Sequence, residues 1–269
     1  MPDLTSFVHA LETEGYAIVP DVLPKDYITR AKKELMAAIA AETKLPFNNK
    51  NDFAMVLLCS LYGGTMLELF AIEKVTAHFN AVLGEGCTVY AYTSSSMPPR
   101  QTNYSGRVHV DCPRIIPGYI TNMGATIALD DFTEDNGATY LLPRSQERAD
   151  APRDEAFYAN AKRFIAPAGS VLFFNACLWH AGGQNKTDGW RHALTVNMGR
   201  PWMKQRIDIP RAMAHMDLSG QPECVLQKLG FLAQVPADYT EYYATRMRRW
   251  QGSSMCPPAH SRARSLGNH

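Results

Sequence analysis

The chain has 269 residues, of which 46% are hydrophobic and 20% are charged. This length and composition suffice for one large domain or two small ones with a buried core, and they exclude a disordered or fibrous chain. Lysine and arginine total 27 against 26 acidic residues, so the formal charge of +1 gives no global attraction to nucleic acid or to an anionic membrane. Binding of any partner must therefore depend on local groups.

The sequence lacks the signals of export and membrane insertion. No apolar run approaches the roughly 20 residues needed to span a bilayer, and the N-terminal segment has no basic region followed by an uninterrupted apolar stretch. The six cysteines include no Cys-x-x-Cys pair, which argues against a zinc knuckle or a dense disulfide framework. We therefore expect a cytoplasmic protein with reduced thiols that binds neither nucleic acid nor membranes.

The first third of the chain has the pattern of helices with one inserted strand. Helical spacing of apolar residues predicts helices over 4–11, 25–41 and 72–83. Between the first two helices, Tyr16 to Val19 form a short β-rich run that Pro20 ends. We expect these helices, which lie within about residues 1–87, to support a second layer.

From Thr88 onward the pattern changes to short β-branched and aromatic runs separated by turn residues. The predicted strands are 88–93, 107–110, 125–129, 138–142, 170–174 and 192–197. Their spacing favours an antiparallel sandwich or barrel over about residues 88–210. We predict one domain over residues 1–245, followed by a basic, flexible tail over 246–269.

Two histidines and one aspartate are the candidate metal ligands. On a strand, residues two apart point to the same face, so His109 and Asp111 can converge on one point. His180 follows a second apolar run and precedes Gly182 and Gly183, which leave room beside it. Two histidines and one carboxylate can occupy one face of an octahedron, as non-haem Fe(II) requires, and the helical motif of zinc hydrolases is absent. A surface or turn position is the commoner role of each residue alone, so the assignment depends on all three.

Arg191 is the candidate partner for a carboxylate inside the barrel. It begins an alternating, strand-like segment, and its planar guanidinium can bind a carboxylate with two charge-assisted hydrogen bonds. A 2-oxo diacid that chelates iron through its oxo-acid end carries a second carboxylate at its far end. An ordinary surface salt bridge is the alternative role of this arginine.

In combination, these residues resemble the phytanoyl-CoA dioxygenase family of Fe(II)/2-oxoglutarate oxygenases. The resemblance covers roughly 7–201 and includes segments 14–20, 128–131 and 136–145, the His109-x-Asp111 pair, and the series His180, Asn185 and Arg191. This combination is far more specific than any single motif. It implies a mainly β fold with flanking helices, built on a jelly-roll core, which is a double-stranded β-helix of the cupin type.

The resemblance also implies roles for individual residues. His109, Asp111 and His180 would ligate Fe(II), Arg191 would bind the distal carboxylate of 2-oxoglutarate, and O2 would be the second co-substrate. Polar residues at positions where relatives contact 2-oxoglutarate are Gln101, Asn103, Thr126 and Thr139. Ordinary strand polarity is the alternative role of these four residues.

Candidate substrate contacts are less specific. They are Arg107, Arg114, Tyr104 and Trp202, with Lys204 and Arg206 as further cations that an anionic group could meet. Solvated charge and aromatic packing are the commoner roles of such residues.

The predicted function is Fe(II)/2-oxoglutarate-dependent dioxygenation of a small-molecule metabolite in specialised metabolism. Its simplest form is hydroxylation of an unactivated C–H bond, with release of succinate and CO2. Desaturation, cyclisation, epimerisation and endoperoxide formation are alternatives at the same centre, whereas Asp111 argues against halogenation because halogenases have a small residue there. A non-catalytic, cupin-like binding protein is the non-enzyme alternative, and we expect a monomer or a homodimer.

Overall fold

The computed structural model describes residues 3–45 and 55–250, with side chains described up to Ala244. The chain divides into two compact units, of which the first ends at Ala233 and the second begins at Gln234. The sequence-based boundary near residue 245 lies within the second unit, and one domain over 1–245 stays a prediction.

The first unit contains α-helices as well as sheets. The helices are α1 (Leu4–Thr13), α2 (Lys25–Glu42), α3 (Gly64–Glu68), α4 (Glu73–Leu83), α5 (Asp154–Asn160), α6 (Ile209–Ala212) and α7 (Glu223–Leu229). The three helices predicted in the first third are confirmed as α1, α2 and α4. Asp3 caps α1, because its carboxylate accepts hydrogen bonds from the backbone N–H groups of Thr5 and Ser6.

Antiparallel strands of the described residues form two sheets. The strands are β1 (Tyr16–Val19), β2 (Thr88–Ser94), β3 (Asn122–Ala128), β4 (Tyr140–Leu141), β5 (Lys162–Arg163), β6 (Val171–Asn175), β7 (His180–Ala181) and β8 (Ala193–Gly199). The larger sheet has the order β1-β6-β3-β8-β2, and the smaller has the order β5-β4-β7. This is the strand-rich jelly-roll architecture with flanking helices that the sequence predicts.

Two of the predicted strands differ from the structure. The prediction of a strand over 107–110 is wrong, because this segment forms only an isolated bridge in which His109 pairs with His180. A 3-10 turn at Tyr104–Gly106 precedes it and Pro113, which has no backbone N–H, follows it, so no regular ladder develops. The strand predicted over 138–142 shortens to β4, which follows Gly137 at a φ of +85°.

Alternation along the larger sheet separates a helix-facing side from an interior side. Phe173 of β6 lies on the helix-facing side, where Phe7 of α1 and Phe79 of α4 each contact it edge to face with ring centroids 5.3 Å apart. On the interior side, Thr126 of β3 pairs with Thr195 of β8. The interior side therefore carries polar side chains in the middle of a sheet, where a purely structural core would carry apolar ones.

A glycine in β3 allows one aromatic ring to fill the interior. Gly124 pairs with Phe174 of β6, and a Cβ atom at this glycine would lie 2.3 Å from the Phe174 ring. The ring of Phe174 in turn lies 4.9 Å, centroid to centroid, from the imidazole of His180. Close packing at Gly124 thus determines the position of a ring that contacts a candidate metal ligand.

The second unit contains helix α8 (Tyr239–Trp250). Asp238 lies just before this helix, and its Oδ1 atom accepts a hydrogen bond from the backbone N–H of Glu241 at 2.8 Å. The predicted tail begins at 246, inside this helix, and its residues 251–269 lie outside the described residues. None of the helices in the described ranges is both long and apolar enough to cross a membrane.

The Gly124→Ala substitution tests the close packing in the sheet interior. We expect it to reduce the free energy of unfolding by about 1–3 kcal/mol, because the added methyl group overlaps the Phe174 ring. Urea denaturation of both variants measures this, with Gly220→Ala as the control, since a Cβ atom at Gly220 meets no heavy atom within 4 Å. Equal unfolding free energies for the two variants would contradict the packing described above.

Candidate metal centre

Three predicted ligands lie together in the first unit. The Nε2 atom of His109 is 3.6 Å from Oδ1 of Asp111, and Nε2 of His180 is 3.8 Å from the same oxygen. One potential ligand atom from each of the three side chains lies within 4.8 Å of the other two. Within residues 3–45 and 55–244, no other group of three histidine, cysteine or acidic side chains has such a geometry. The arrangement fits one metal ion held by two nitrogens and one oxygen.

Backbone hydrogen bonds bring the two histidines together. The N–H of His109 donates to the carbonyl of His180 at 2.9 Å, and the N–H of His180 donates to the carbonyl of His109 at 2.9 Å. The backbone N–H of Asp111 donates to the carbonyl of Ala176 at 2.9 Å, which holds the carboxylate residue beside the turn before β7. The imidazole centroids are consequently 4.2 Å apart.

Each histidine is oriented by a carbonyl two residues before it. Nδ1 of His109 donates to the carbonyl of Arg107 at 2.8 Å, and Nδ1 of His180 donates to the carbonyl of Leu178 at 2.9 Å. Because a carbonyl only accepts hydrogen bonds, the proton of each neutral imidazole lies on Nδ1. Both Nε2 lone pairs are therefore directed to the metal position, and the groups that orient the ligands belong to the main chain.

A chain of amides supports the carboxylate of Asp111. The Nδ2 atom of Asn197 lies 3.4 Å from Oδ2 of Asp111, Nδ2 of Asn122 donates to Oδ1 of Asn197 at 3.2 Å, and Thr121 donates to the Asn122 side chain at 3.0 Å. Sequence reasoning missed Asn122 and Asn197. Their signal is an asparagine within each of two largely apolar strands, β3 and β8.

Electrostatics favour a neutral His180 and an anionic Asp111. Burial lowers the pKa of His180 below its ordinary value, so this imidazole is neutral at pH 7. Burial alone would raise the pKa of Asp111, but the neighbouring His109 and His180 outweigh it, and the pKa lies below its ordinary value. For His109, burial lowers the pKa and the Asp111 carboxylate raises it, with a net increase. Asp111 is therefore an anionic ligand at neutral pH.

Arg191 is buried without a carboxylate partner. It is 1% exposed, its two Nη atoms donate to the carbonyls of Ser95 at 2.7 Å and Gly137 at 3.1 Å, and its Nε atom has no hydrogen-bond partner. Phe132 lies below the guanidinium, with 4.1 Å between its ring centroid and Cζ. Within the described residues, no acidic side chain forms an ion pair with this arginine.

The burial of Arg191 excludes the surface salt bridge considered from the sequence. Burial lowers the pKa of this guanidinium to about 9, partly opposed by Asp130, so the group stays charged at pH 7. A buried charge is costly unless an opposite charge and hydrogen bonds compensate it. Two carbonyls supply part of this compensation, and the unpartnered Nε atom shows that an acceptor is missing. The distal carboxylate of 2-oxoglutarate has the charge and the oxygen atoms to supply it.

A cavity of about 990 Å³ lies beside the candidate ligands. Its described lining residues are Met55, Leu57, Tyr90, Ala91, Thr93, Gln101, Thr102, Asn103, Tyr104, Arg107, His109, Val110, Asp111, Thr195, Asn197 and Arg206. The volume lies at the upper end of the roughly 300–1,000 Å³ typical of small-molecule sites. Of the candidate substrate contacts, the structure brings Tyr104 and Arg107 to this cavity. Arg114 and Trp202 do not line it.

The candidate co-substrate contacts occupy different positions. Gln101 and Asn103 line the cavity, and Thr126 lies on the interior side of β3. The Asn103 side chain accepts hydrogen bonds from Ser105 and donates one to the carbonyl of Ser96, so it stabilises the turn before His109. Thr139 is half-buried just before β4. Contact of any of the four with 2-oxoglutarate stays a prediction.

The glycines after His180 serve close approach between chain segments. A Cβ atom at Gly182 would lie 2.4 Å from Oγ of Ser105, and one at Gly183 would lie 2.6 Å from the carbonyl oxygen of Ala138. The space expected beside His180 is thus occupied by the turn that leads to His109 and by the start of β4. These contacts help to hold both histidines in place.

A jelly roll that holds two histidines and a carboxylate, together with a buried arginine that lacks an ion-pair partner among the described residues, defines the class of Fe(II)/2-oxoglutarate oxygenases. The sequence profile of phytanoyl-CoA dioxygenase (PhyH) matches residues 11–193, and the chain belongs to this family. Together with the His109-Asp111-His180 group, this membership identifies iron and 2-oxoglutarate as the cofactors.

Comparisons with individual proteins agree with this membership. An uncharacterised protein of Mycobacterium tuberculosis is 30% identical over 246 residues, which cover 87% of this chain and 89% of the relative. The dioxygenase olcK of Penicillium canescens is 33% identical over 93 residues, 32% of this chain and 30% of the relative. The structure of the epimerase SnoN with Fe3+, α-ketoglutarate and nogalamycin RO has a TM-score of 0.60 at 21% identity and covers 81% of this chain and 91% of that chain. The last similarity confirms the fold.

Substitution of the candidate ligands tests the metal centre. We expect Asp111→Ala and His180→Ala to weaken Fe(II) binding at least about 100-fold, because each removes one of three ligand atoms. Anaerobic calorimetric titration measures the affinity, and far-ultraviolet circular dichroism reports whether the fold is retained. His215→Ala is the control, since His215 is exposed and outside the group. Unchanged Fe(II) affinity in a folded Asp111→Ala variant would refute the assignment.

Proposed function

We propose that the protein is an Fe(II)/2-oxoglutarate-dependent dioxygenase that oxidises a small-molecule metabolite, most simply by hydroxylating an unactivated C–H bond, with release of succinate and CO2. One observation carries the proposal: the His109-Asp111-His180 group lies in the same jelly roll as Arg191, a buried arginine with no acidic partner among the described residues. Neither the ligand group nor the buried arginine stabilises a purely structural core, whereas an oxygenase of this class requires both.

The three ligands would hold iron through Nε2 of His109, Nε2 of His180 and one carboxylate oxygen of Asp111. Two histidines and one carboxylate are the ligand set of non-haem Fe(II) oxygenases, and they would leave coordination positions for exogenous ligands. Iron and 2-oxoglutarate, when bound, supply the activation of O2. The main-chain carbonyls of Arg107 and Leu178 keep both imidazoles in the Nδ1-protonated form that metal binding requires.

Arg191 would fix the far end of 2-oxoglutarate. The Ser95 and Gly137 carbonyls and the Phe132 ring hold the guanidinium in one orientation, so little side-chain entropy is lost when a carboxylate binds. The remaining N–H groups, including the unpartnered Nε, are donors for that carboxylate. Exclusion of water around Arg191 strengthens this interaction relative to a surface ion pair.

The cavity beside His109 and Asp111 would hold the organic substrate. The ligand residues form part of its wall, so a bound molecule lies next to the metal position. The protein's contribution would be to orient the target carbon and to displace water from the site.

A different oxidative outcome at the same centre is the second candidate. The epimerase SnoN has the same fold, so this architecture supports outcomes other than simple hydroxylation. Desaturation, cyclisation and endoperoxide formation belong to the same group of alternatives. A non-catalytic binding protein is disfavoured, because all three ligands and the buried arginine are retained together.

A turnover assay tests the proposed function. Protein reconstituted with Fe(II) and 2-oxoglutarate without O2 should show the metal-to-ligand charge-transfer absorption, and a screen of small metabolites should identify compounds that accelerate succinate formation. Mass spectrometry of the product separates hydroxylation, which adds one oxygen atom, from desaturation, which removes two hydrogens, and from epimerisation, which leaves the mass unchanged. Absence of the absorption in protein that binds Fe(II) would refute the co-substrate assignment.

Substitution of Arg191 tests its role in co-substrate binding. We expect Arg191→Gln to weaken 2-oxoglutarate about 100-fold, because about 3 kcal/mol is lost with two charge-assisted hydrogen bonds. Anaerobic titration of the charge-transfer absorption measures this affinity. Arg100→Gln is the matched control, since Arg100 is exposed and pairs with Asp188. Fe(II) affinity should not change in either variant, and equal 2-oxoglutarate affinities in the two would exclude the proposed role.

A further inference from the structure

Two arginines line the cavity beside the candidate ligands without an acidic partner. Arg107 lies two residues before His109, and Arg206 enters the cavity wall from the segment after β8. Within the described ranges, neither guanidinium forms an ion pair with a carboxylate. Asp111 is the acidic residue among the described cavity-lining positions, and the proposed function assigns it to iron.

The charges of the catalytic centre balance without these two arginines. Fe(II) and Arg191 contribute three positive charges, and Asp111 and the 2-oxoglutarate dianion contribute three negative ones. Arg107 and Arg206, both with exposed side chains, then remain as the formal charges without an ion-pair partner among the described residues of the wall. A cavity walled by protein concentrates the field of such charges and attracts ligands of opposite sign.

The position of Arg206 is determined by the larger sheet. Its backbone N–H donates to the carbonyl of Tyr90 in β2 at 3.0 Å, so the residue is held against a strand that also lines the cavity. Burial raises the pKa of Tyr104 to about 12, and the positive charge of Arg206 opposes that increase. The guanidinium is thus within electrostatic range of an aromatic residue beside His109 and Asp111.

The other residues of the cavity wall indicate which kind of molecule would carry an anionic group to the two arginines. Tyr90 and Tyr104 present aromatic surface, and Met55 and Leu57 present apolar surface. Aromatic and apolar walls bind carbon skeletons, whereas arginine binds carboxylates and phosphates through paired N–H groups. Polar side chains line the same cavity: Thr93, Gln101, Thr102, Asn103, Thr195 and Asn197. The wall therefore combines aromatic and apolar surface with polar groups and with donors for an oxyanion.

We propose that Arg107 and Arg206 select an organic substrate that carries a carboxylate or phosphate on a partly apolar carbon skeleton. Both arginines act as specificity-determining residues that orient the substrate by its anionic group. The inference rests on the proposed function, because the charge balance assigns Asp111 and Arg191 to iron and 2-oxoglutarate.

Binding of matched probes tests this selection. Protein loaded with Fe(II) and N-oxalylglycine under anaerobic conditions has its metal and co-substrate positions filled and cannot turn over. Calorimetric titration then compares naphthoate and naphthyl phosphate with naphthalenemethanol, which has the same ring system and no charge. At least one anion should bind about tenfold more tightly than the alcohol, and the preferred anion distinguishes a carboxylate from a phosphate substrate.

Substitutions assign the preference to the two arginines. Arg206→Gln and Arg107→Gln should each weaken the preferred anion about tenfold and leave the alcohol unchanged. Lys204→Gln is the matched control, since Lys204 is an exposed cation two residues from Arg206 that does not line the cavity. Anions that bind no more tightly than the alcohol, or equal anion affinities in Arg206→Gln and Lys204→Gln, would overturn the proposal.

The same preparations separate the two proposals. The charge-transfer absorption with 2-oxoglutarate should be retained in Arg206→Gln, because Arg206 has no part in co-substrate binding. Loss of that absorption in the unsubstituted protein would refute the proposed function, whereas its retention without any anion preference would refute only the substrate class.

Discussion

The reciprocal backbone pairing of His109 with His180 is the interaction on which the rest of the site depends. Two hydrogen bonds of 2.9 Å join an irregular segment to a two-residue strand, and they place both imidazoles on one side of the junction. Asp111 follows His109 by two residues, so the same pairing delivers the carboxylate. Ligand geometry is thus set mainly by the main chain, and the walls of the cavity can vary in sequence without disturbing it.

Several polar groups in the interior have defined partners. Asn122 and Asn197 bond to each other and connect the sheet to Asp111. Arg191 bonds to two carbonyls and still lacks an acceptor at Nε. Buried polar groups without partners typically cost about 1–3 kcal/mol each. The missing acceptor at Nε of Arg191 therefore destabilises the fold by about this amount, and a bound anion would remove the penalty.

The sequence predicts three helices of the first third, most strands and the three candidate ligands. Each leaves a local pattern: helical spacing, β-branched runs, or the His-x-Asp pair that resembles a known family. It does not predict helices α3, α5, α6, α7 and α8. It does not predict that 107–110 forms only a bridge, since pairing depends on distant His180 and on the turn at Tyr104–Gly106. The sequence also does not predict the roles of Asn122 and Asn197, because a strand pattern does not indicate which polar side chain lies near the metal ligands. Arg107 and Arg206 are far apart in sequence and line the same cavity only because of tertiary packing. Trp202, another candidate substrate contact, is 62% exposed and does not line the cavity.

The shortness of β7 has a consequence for the behaviour of the protein before its metal binds. A strand of two residues, paired with a two-residue β4 and with one bridge, is held by few hydrogen bonds, each with a net contribution of about 1 kcal/mol. Segments of this kind open locally at a small fraction of the global unfolding free energy. Iron would cross-link the two segments that such opening separates. The iron would then stabilise the local structure, and amide hydrogen exchange around His180 would slow when iron binds.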